Sequence, residues 1–532
     1  MKAKWIFVLV IGTMLLSACG SEPETGGPAA LALLDEVADS MGGWDVLSSI
    51  ERQENVTQGN DWDPMQAFEP GADRQINGFG RTLQIDFTRS SIRLAFDGER
   101  IYPNTAPVRF VEVIDGDVGM LQRTNADDET ISSRMHPSRF AARMRDFNRL
   151  APRVLSVARD AEGLTRLEDQ TVDGKTIHIL RYEDGGNAVE MQVDNFTKLP
   201  IRVTYTEDDP IYGDTLNELV YLDWRDSQVS ATETGQPINA RLPFSQTMFL
   251  NGVRYRQEES RNIINNGSFD DGTFEIAQEV RDEPENGERV MSQWILRRAT
   301  GGFGYQGYAQ PQAQTVELDE VVPGVLHARG SSHNSMIVEM EDHVIVVEAP
   351  LFEERSAAVI AAIEERFPDK PIRHTIVTHF HIDHSGGVRA YAATGATIVG
   401  HESIVPFLET MLSRPKTVRP DSLAAASGVT PAVEGVGSEP VELTDGTRTV
   451  QVIHVENEHA ASMVIAYLPN EKIAFVSDLY SPGGDVLPEN ANALAFYRGV
   501  MAANLDVEQV VGGHGGVGPF RDLAQVMADV EN

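Results

Sequence analysis

The stretch His379-Phe380-His381-Ile382-Asp383-His384 sets three imidazoles and a carboxylate in six consecutive positions of a chain that holds 13 histidines in 532 residues. It follows an apolar β-type run, Ile376-Val377, and is closed by Gly386-Gly387. On an extended segment, side chains two apart share a face, so His379 and His381 can reach one cation together. Asp383 and His384 follow where the chain is expected to leave the strand for a loop, and that turn lets them swing toward a second cation. A loop at the carboxyl end of a strand is where open α/β sheets place their chemistry. The feature therefore asks for a fold that delivers a strand end, and more donors, to one point.

The spacing H-x-H-x-D-H resembles the signature of the metallo-β-lactamase superfamily, and the resemblance extends from about Val316 to the C-terminus. It implies an αββα sandwich with a one- or two-metal site between the sheets. Three more positions fit that family's pattern. Glu458-His459-Ala460 falls where a third histidine of the first metal is expected. Ser477-Asp478-Leu479 matches the bridging aspartate, and Gly512-Gly513-His514-Gly515 the last histidine. Carried over residue by residue, the first metal takes His379, His381 and His459. The second takes Asp383, His384 and His514, with Asp478 shared. Three ligands and a bridge leave each cation an open position, as a catalytic site needs. Two Zn2+ ions are expected, with iron or manganese as alternatives.

The local pattern agrees with an α/β region. Val344 to Val347 reads as a buried strand and Glu353 to Phe367 as an amphipathic helix. Ile372 to Thr378 is a strand leading into the histidine loop, and Val388 to Ala393 is the helix after it. Further strands are read at Ala396–Gly400, Ser462–Tyr467, Ile473–Val476 and Val507–Val511. Helices are read at Ser403–Ser413, Ala493–Asn504 and Arg521–Val530. The family's usual Asp-Thr-Gly after the early strand is replaced by Glu348-Ala349-Pro350, a carboxylate expected to act from outside the ligand set. Ser477 stands where glycine usually precedes the bridging aspartate. His454 competes with His459, but its neighbours Val452, Ile453 and Val455 suit a strand interior. His401 is expected to orient the site without ligating. His327 and His333 carry no motif and read as structural, and His374 opens the strand before the site.

Ahead of this region the chain alternates apolar and polar residues with period two, as at Leu83-Ile85-Phe87, Ile92-Leu94-Phe96 and Ile201-Val203-Tyr205. Asp97-Gly98 and Asp173-Gly174 suit hairpin turns. A helix is expected over Ala30–Ile50 and another over Ser138–Ala161. Residues 30–298 thus read as a mostly antiparallel β (α+β) domain, similar to the curved half-barrels of lipoprotein-sorting carriers. A spacer domain is the alternative reading. A Gly- and Gln-rich linker is expected at 299–315 and the hydrolase-like domain at 316–532. Gly302-Phe303-Gly304-Tyr305-Gln306-Gly307 matches a dinucleotide fingerprint but neither follows a strand nor opens a helix. Ser413-Arg414-Pro415-Lys416 matches the S-x-x-K of serine β-lactamases without that family's other motifs. Both are coincidences.

Lys2 and Lys4 precede an apolar run from Trp5 to Leu16, too short to span a bilayer and suited to a signal-peptide core. The run ends Leu16-Ser17-Ala18-Cys19, which resembles a bacterial lipobox. Residues 1–19 are therefore read as a lipoprotein signal peptide with its lipobox, cleaved before Cys19, which would carry a lipid, with 20–29 as a tether. Cys19 is the one cysteine of the chain, so no internal disulfide forms and the cysteine-ligating β-lactamase subclass is excluded. An exported protein anchored to a bacterial membrane, facing the periplasm or the cell exterior, is the expectation. With 80 acidic against 44 basic residues and a formal charge of −36, the surface lacks the cations that displace phosphate counterions, which argues against a nucleic-acid partner.

The resemblance implies a hydrolase of small molecules bearing an ester, thioester, lactone or amide. Two cations sharing one water lower its pKa from 15.7 toward about 7. At about 1.36 kcal/mol per unit this is on the order of 12 kcal/mol of help in making hydroxide at neutral pH. Asp383 would steer or donate the proton, and Tyr480 would hydrogen-bond a developing oxyanion. Two other classes compete: an iron-dependent persulfide-type oxygenase, which needs the first ligand set alone, and a lipid- or ligand-binding lipoprotein. True β-lactamase activity fits the same carbonyl chemistry.

Overall fold

The computed structural model describes residues 27–63, 65–101, 105–124, 129–209, 211–284, 316–330 and 333–531. The expected signal peptide, Cys19, most of the tether, and the linker with its Gly302–Gly307 motif lie outside them. No helix among the described residues is long and apolar enough to cross a membrane.

Alternation in the first half becomes a single thirteen-stranded antiparallel sheet built from residues 52–265. Two meanders run outward from the centre, where strand Arg52–Trp62 pairs with strand Val253–Asn265, Gln53 opposite Asn265. The apolar positions of Gln75–Asp86 and Ser91–Arg100 point to one face, and Phe79, Phe96 and Phe110 stack across three strands at 5.0 and 4.8 Å. Helices Gly27–Ser40 and Ala151–Asp160 cover the other meander, burying Leu33, Leu34, Val37, Val154 and Leu155 against Met191, Val193 and Leu219. The first helix is shorter than the sequence predicts. Gly42 and Gly43 adopt φ of 118 and 87°, which ends it, and Trp44–Ser48 forms a separate turn. The insert over 138–161 likewise divides, at Arg149-Leu150, into Pro137–Asn148 and Ala151–Asp160.

The second half is mixed α/β with four layers, in agreement with the sandwich expected from sequence. A seven-stranded sheet and a six-stranded sheet face each other through a core of Val325, Ile345, Val347, Ile376, Val452, Val464 and Phe475. Helices Glu353–Arg366, Val388–Ala393 and Val405–Ser413 cover the first sheet. Helices Ala491–Ala502 and Phe520–Glu531 cover the second. Strands Val344–Val347, Ile372–Ile376 and Thr397–His401 run parallel, so their carboxyl ends open on one edge.

The two halves touch through side chains and backbone. Asp214 accepts hydrogen bonds from the backbone N–H groups of Thr417 and Val418, at 2.8 and 3.1 Å. Lys416 pairs with Asp208 and donates to Asp209 O at 3.0 Å. The Lys416 of the S-x-x-K match is thus a docking residue. Met65 and Ile211, from the first half, are buried in the core of the second beside Phe380 and Ile382.

Candidate metal centre

Strand Ile372–Ile376 stops earlier than its apolar run suggests. His379 lies in a bend, and His381 occupies the N-cap of a helical turn, Ile382–Ser385, that carries Asp383 and His384. The strand alternation invoked for the first two histidines is therefore absent, and the turn that replaces it still brings their rings to 4.5 Å. Gly386 and Gly387 let this turn press against the start of helix Glu353–Arg366: a Cβ on Gly386 would collide with Leu351 O, and one on Gly387 with Ser356.

His459 comes from the loop after strand Thr449–His454, where Asn457 Oδ1 accepts from its N–H at 2.7 Å. Asp478 lies just past strand Ile473–Phe475, and His514 follows strand Gln509–Val511. These donors converge in two sets. His379, His381, His459 and Asp478 can share one cation. Asp383, His384 and His514, joined by His333, can share another, with every donor atom of a set within 4.8 Å of the others. Asp478 stands between the sets. Its Oδ2 is 2.9 Å from His459 Nε2 and 3.7 Å from His379 Nε2. Its Oδ1 is 2.9 Å from His384 Nε2 and 2.8 Å from His514 Nε2.

The buried atoms fit a cation better than they fit each other. His379 Nε2 and His381 Nδ1 are enclosed and make no hydrogen bond among the described residues, which a folded chain ordinarily does not tolerate, and His384 Nε2 is enclosed beside Asp478 Oδ1. Their opposite ring nitrogens are all held. His384 Nδ1 lies 3.0 Å from Glu348 Oε1. His379 Nδ1 meets Thr378 Oγ1 at 3.1 Å, and Thr378 Oγ1 donates to Glu348 at 2.8 Å. His381 Nε2 donates to Ala67 O at 2.9 Å. With one nitrogen of each ring occupied, the other presents its lone pair inward, the arrangement of metal-bound histidines. Glu348, the residue that departs from the usual Asp-Thr-Gly, thus orients two ligands. It holds φ of 69°, and Leu351 and Ser477 nearby hold 67 and 45°. Such conformations cost of order 1–3 kcal/mol each in non-glycine residues. Gly513 leaves room for this carboxylate, since a Cβ there would lie 2.9 Å from Glu348 Oε2.

Electrostatics follow the packing. Burial, reinforced by neighbouring imidazoles, pushes His379 well below the ordinary histidine range, and burial pushes His381 down to about 3. Burial opposes a charge on His384 too, but Asp478, Glu348 and Asp383 together lift it well above that range. Burial alone would raise Asp478, and the adjoining His384 instead holds it well below the usual carboxylate range.

Part of this centre is supplied by the first half of the chain. The segment after strand Arg52–Trp62 reaches across so that Gln66 Nε2 donates to Asp383 Oδ1 at 2.7 Å. Ala67 O takes the His381 hydrogen, and Phe68 O accepts from Ala461 N at 2.9 Å. Gln66 leaves Asp383 one oxygen, Oδ2, facing the second donor set. Beyond the donors opens a cleft of ≈ 770 Å³, walled by Arg74 and Ile101 from the first half and by His459, Asp478, Leu487 and Asn490 from the second.

The remaining histidines sort by position. His454 Nε2 donates to Ala461 O at 3.0 Å, and its ring lies against His401, centroids 4.3 Å apart, outside both donor sets. His374 packs near His343. His327 Nε2 contacts Gly512 O at 3.0 Å and so steadies the loop bearing His514, a structural role as expected. His333, also expected to be structural, lies instead in the second donor set. Tyr480 is buried among Val476, Leu479 and Phe496, in the layer between the second sheet and its helices.

The comparisons with known proteins agree with this architecture. Residues 328–514 match the family model of the metallo-beta-lactamase superfamily, and this part of the chain has that family's fold. A linear primary-alkylsulfatase from Pseudomonas sp. is 30% identical over 140 residues, covering 23% of this chain and 20% of that protein. The alpha subunit of a 2,4-dinitroanisole O-demethylase from Nocardioides sp. (strain JS1661) is 24% identical over 122 residues, covering 23% of this chain and 33% of the subunit. The match thus spans a fifth to a third of the length of these relatives. Among solved structures, a metallo-beta-lactamase from Pontibacter korlensis aligns over 41% of this chain and 100% of its own, with 19% identity and a TM-score of 0.32.

Proposed function

We propose that this protein is a hydrolase dependent on a pair of metal ions, zinc by first choice, that opens an ester, thioester, lactone or amide bond in a small molecule. The observation that carries the reading is the convergence of two donor sets on opposite oxygens of Asp478, with His379 Nε2, His381 Nδ1 and His384 Nε2 buried and turned inward. His379, His381 and His459 would hold one ion, and Asp383, His384 and His514 the other. When bound, the pair supplies a water acidic enough to ionise near neutral pH and positive charge for a developing oxyanion. Glu348 and Thr378 keep two imidazoles in the ligating tautomer, Ala67 does so for a third, and Gln66 limits Asp383 to one inward oxygen.

A cleft of ≈ 770 Å³ beside His459 and Asp478 suits a substrate of modest size. The names of the two relatives add sulfate esters and aryl methyl ethers to the bonds worth trying. The lipid-binding alternative would look to a hollow of ≈ 500 Å³ on the first sheet, where the stacked Phe79, Phe96 and Phe110 share the lining with Arg81, Asp97, Arg109 and Arg261. In the same proposal the chain is exported and anchored through a lipid on Cys19, which mass spectrometry of the membrane-extracted N-terminal peptide tests.

The decisive experiment measures metal content of the purified protein. It then assays chromogenic esters, lactones, thioesters, nitrocefin, alkyl sulfates and aryl methyl ethers with and without chelator. Two equivalents of metal and chelator-sensitive turnover of one class are expected. A protein that takes up no metal on reconstitution ends the reading.

A further inference from the structure

We infer that His333 is itself a ligand of the second cation, so that the second site offers five protein donors against four at the first. The inference rests on the two-cation reading above and adds to it a residue outside the sequence pattern that suggested that reading.

The position of His333 is fixed by its neighbour. Asn334 donates through its backbone N–H to Gly513 O at 2.8 Å and through its side chain to Gly515 O at 2.9 Å. These two bonds bracket His514 and tie the chain before strand Ser335–Glu339 to the loop that carries it. His333 is thereby held at 6% exposure with its ring against that of His514, centroids 4.2 Å apart at 65°, and against that of His384 at 5.2 Å and 67°. Three edge-on imidazoles around one point are a poor way to fill a core and a good way to surround an ion.

The distances agree. His333 Nε2 is 3.3 Å from Asp383 Oδ2, the oxygen that Gln66 leaves unused. That oxygen is 3.8 Å from His384 Nε2, which is in turn 2.9 Å from Asp478 Oδ1. Donors bound at 2.0–2.2 Å to one ion stand about 3 Å apart at right angles and about 3.5 Å apart at tetrahedral angles. The observed separations fall in or near that range. A simple hydrogen bond from His333 to Asp383 would explain one of these distances but not the convergence of all four residues.

The count has a consequence for access. His333, Asp383, His384, His514 and Asp478 exceed the four ligands of a tetrahedral site and suit an ion that accepts five or six. His379, His381, His459 and Asp478 leave the first site less filled. The cleft opens on this first site, since His459 and Asp478 form its wall. A substrate in the cleft therefore meets His459 of the first site beside the shared Asp478.

The test loads the full-length protein with Co2+ and counts hyperfine-shifted imidazole resonances in a histidine-labelled sample. Six shifted rings are expected, falling to five in His333→Gln, with a second-equivalent Kd weaker by about 10–100-fold, the range seen when a metal's supporting contacts are lost. The first equivalent should keep its Kd. The ligand-field bands should intensify as the second ion loses a donor. Five shifted rings in the parent, together with unchanged metal affinities in both His333→Gln and His333→Asn, overturn the inference while leaving the two-cation reading intact. A parent that binds a single equivalent overturns both. The ring count in the parent needs no variant to fold.

Discussion

Both halves of this molecule bury charge, and they do so in opposite ways. In the first sheet Arg256 sits between Asp61 at 2.6 Å and Glu258 at 3.4 Å, and Arg81 also pairs with Glu258. Arg139 and Arg143 both reach Glu112 at 2.5 Å, and Arg143 continues to Asp146 at 2.8 Å. Each of these guanidiniums faces a carboxylate. In the second half the carboxylates of Asp383, Asp478 and Glu348 face imidazoles. Positive charge is what this second cluster lacks. Buried polarity marks a ligand site when its donors and acceptors do not cancel, and a structural network when they do.

Substitutions can break this contrast. The largest effect is expected from His379→Ala combined with His381→Ala. The first ion should be lost and turnover should fall to background, while circular dichroism of the thirteen-stranded sheet stays unchanged. Next comes Glu112→Gln, which removes the carboxylate charge shared by Arg139 and Arg143 and should cost about 3–5 kcal/mol of stability by denaturant unfolding. Its metal content should match the parent's.

Glu112 also fixes a pH dependence. Burial would raise its carboxyl, but Arg139 and Arg143 outweigh burial and hold it below the usual glutamate range. A folded-state pKa below the unfolded value gives stability that is full above about 4.3 and fades as pH falls through the folded value. The parent should therefore lose stability on the acid side below that pH, and Glu112→Gln should lose less there.

Smaller effects sharpen the comparison at the seam. Gln66→Ala frees Asp383 Oδ1 and should weaken the second cation by about 10–100-fold in chelator competition, although Gln66 lies 317 residues from Asp383 in sequence. Unfolding of the first sheet should hardly change. Tyr480→Phe is expected to leave kcat and metal content as they are, because the ring packs toward the helices of the second sheet. A large drop in kcat would restore the oxyanion role expected for Tyr480 from sequence.

The candidate ligands are legible because imidazoles are scarce and the key ones lie close together in the chain. His379, His381, Asp383 and His384 announce themselves within six positions, and His459, Asp478 and His514 follow from the family pattern. His333 was not legible, since a lone histidine before a strand looks the same whether it packs or ligates. Period-two alternation showed the strands of the first half. It could not show that strand Arg52–Trp62 closes on Val253–Asn265, a pairing set by contacts across some two hundred residues. The early end of strand Ile372–Ile376 escaped for a related reason. Val377 is apolar because it is buried, and burial persists after the ladder stops.

Ala67 adds a lesson of a different kind. Its contribution to the His381 ring is a main-chain oxygen, which any residue at position 67 would offer equally. Scanning mutagenesis would pass over the position in silence. A one-residue insertion or deletion between Trp62 and Arg74 would slide another carbonyl, or none, beneath that ring. In this segment the length of the chain is the inherited quantity, and the spelling is secondary.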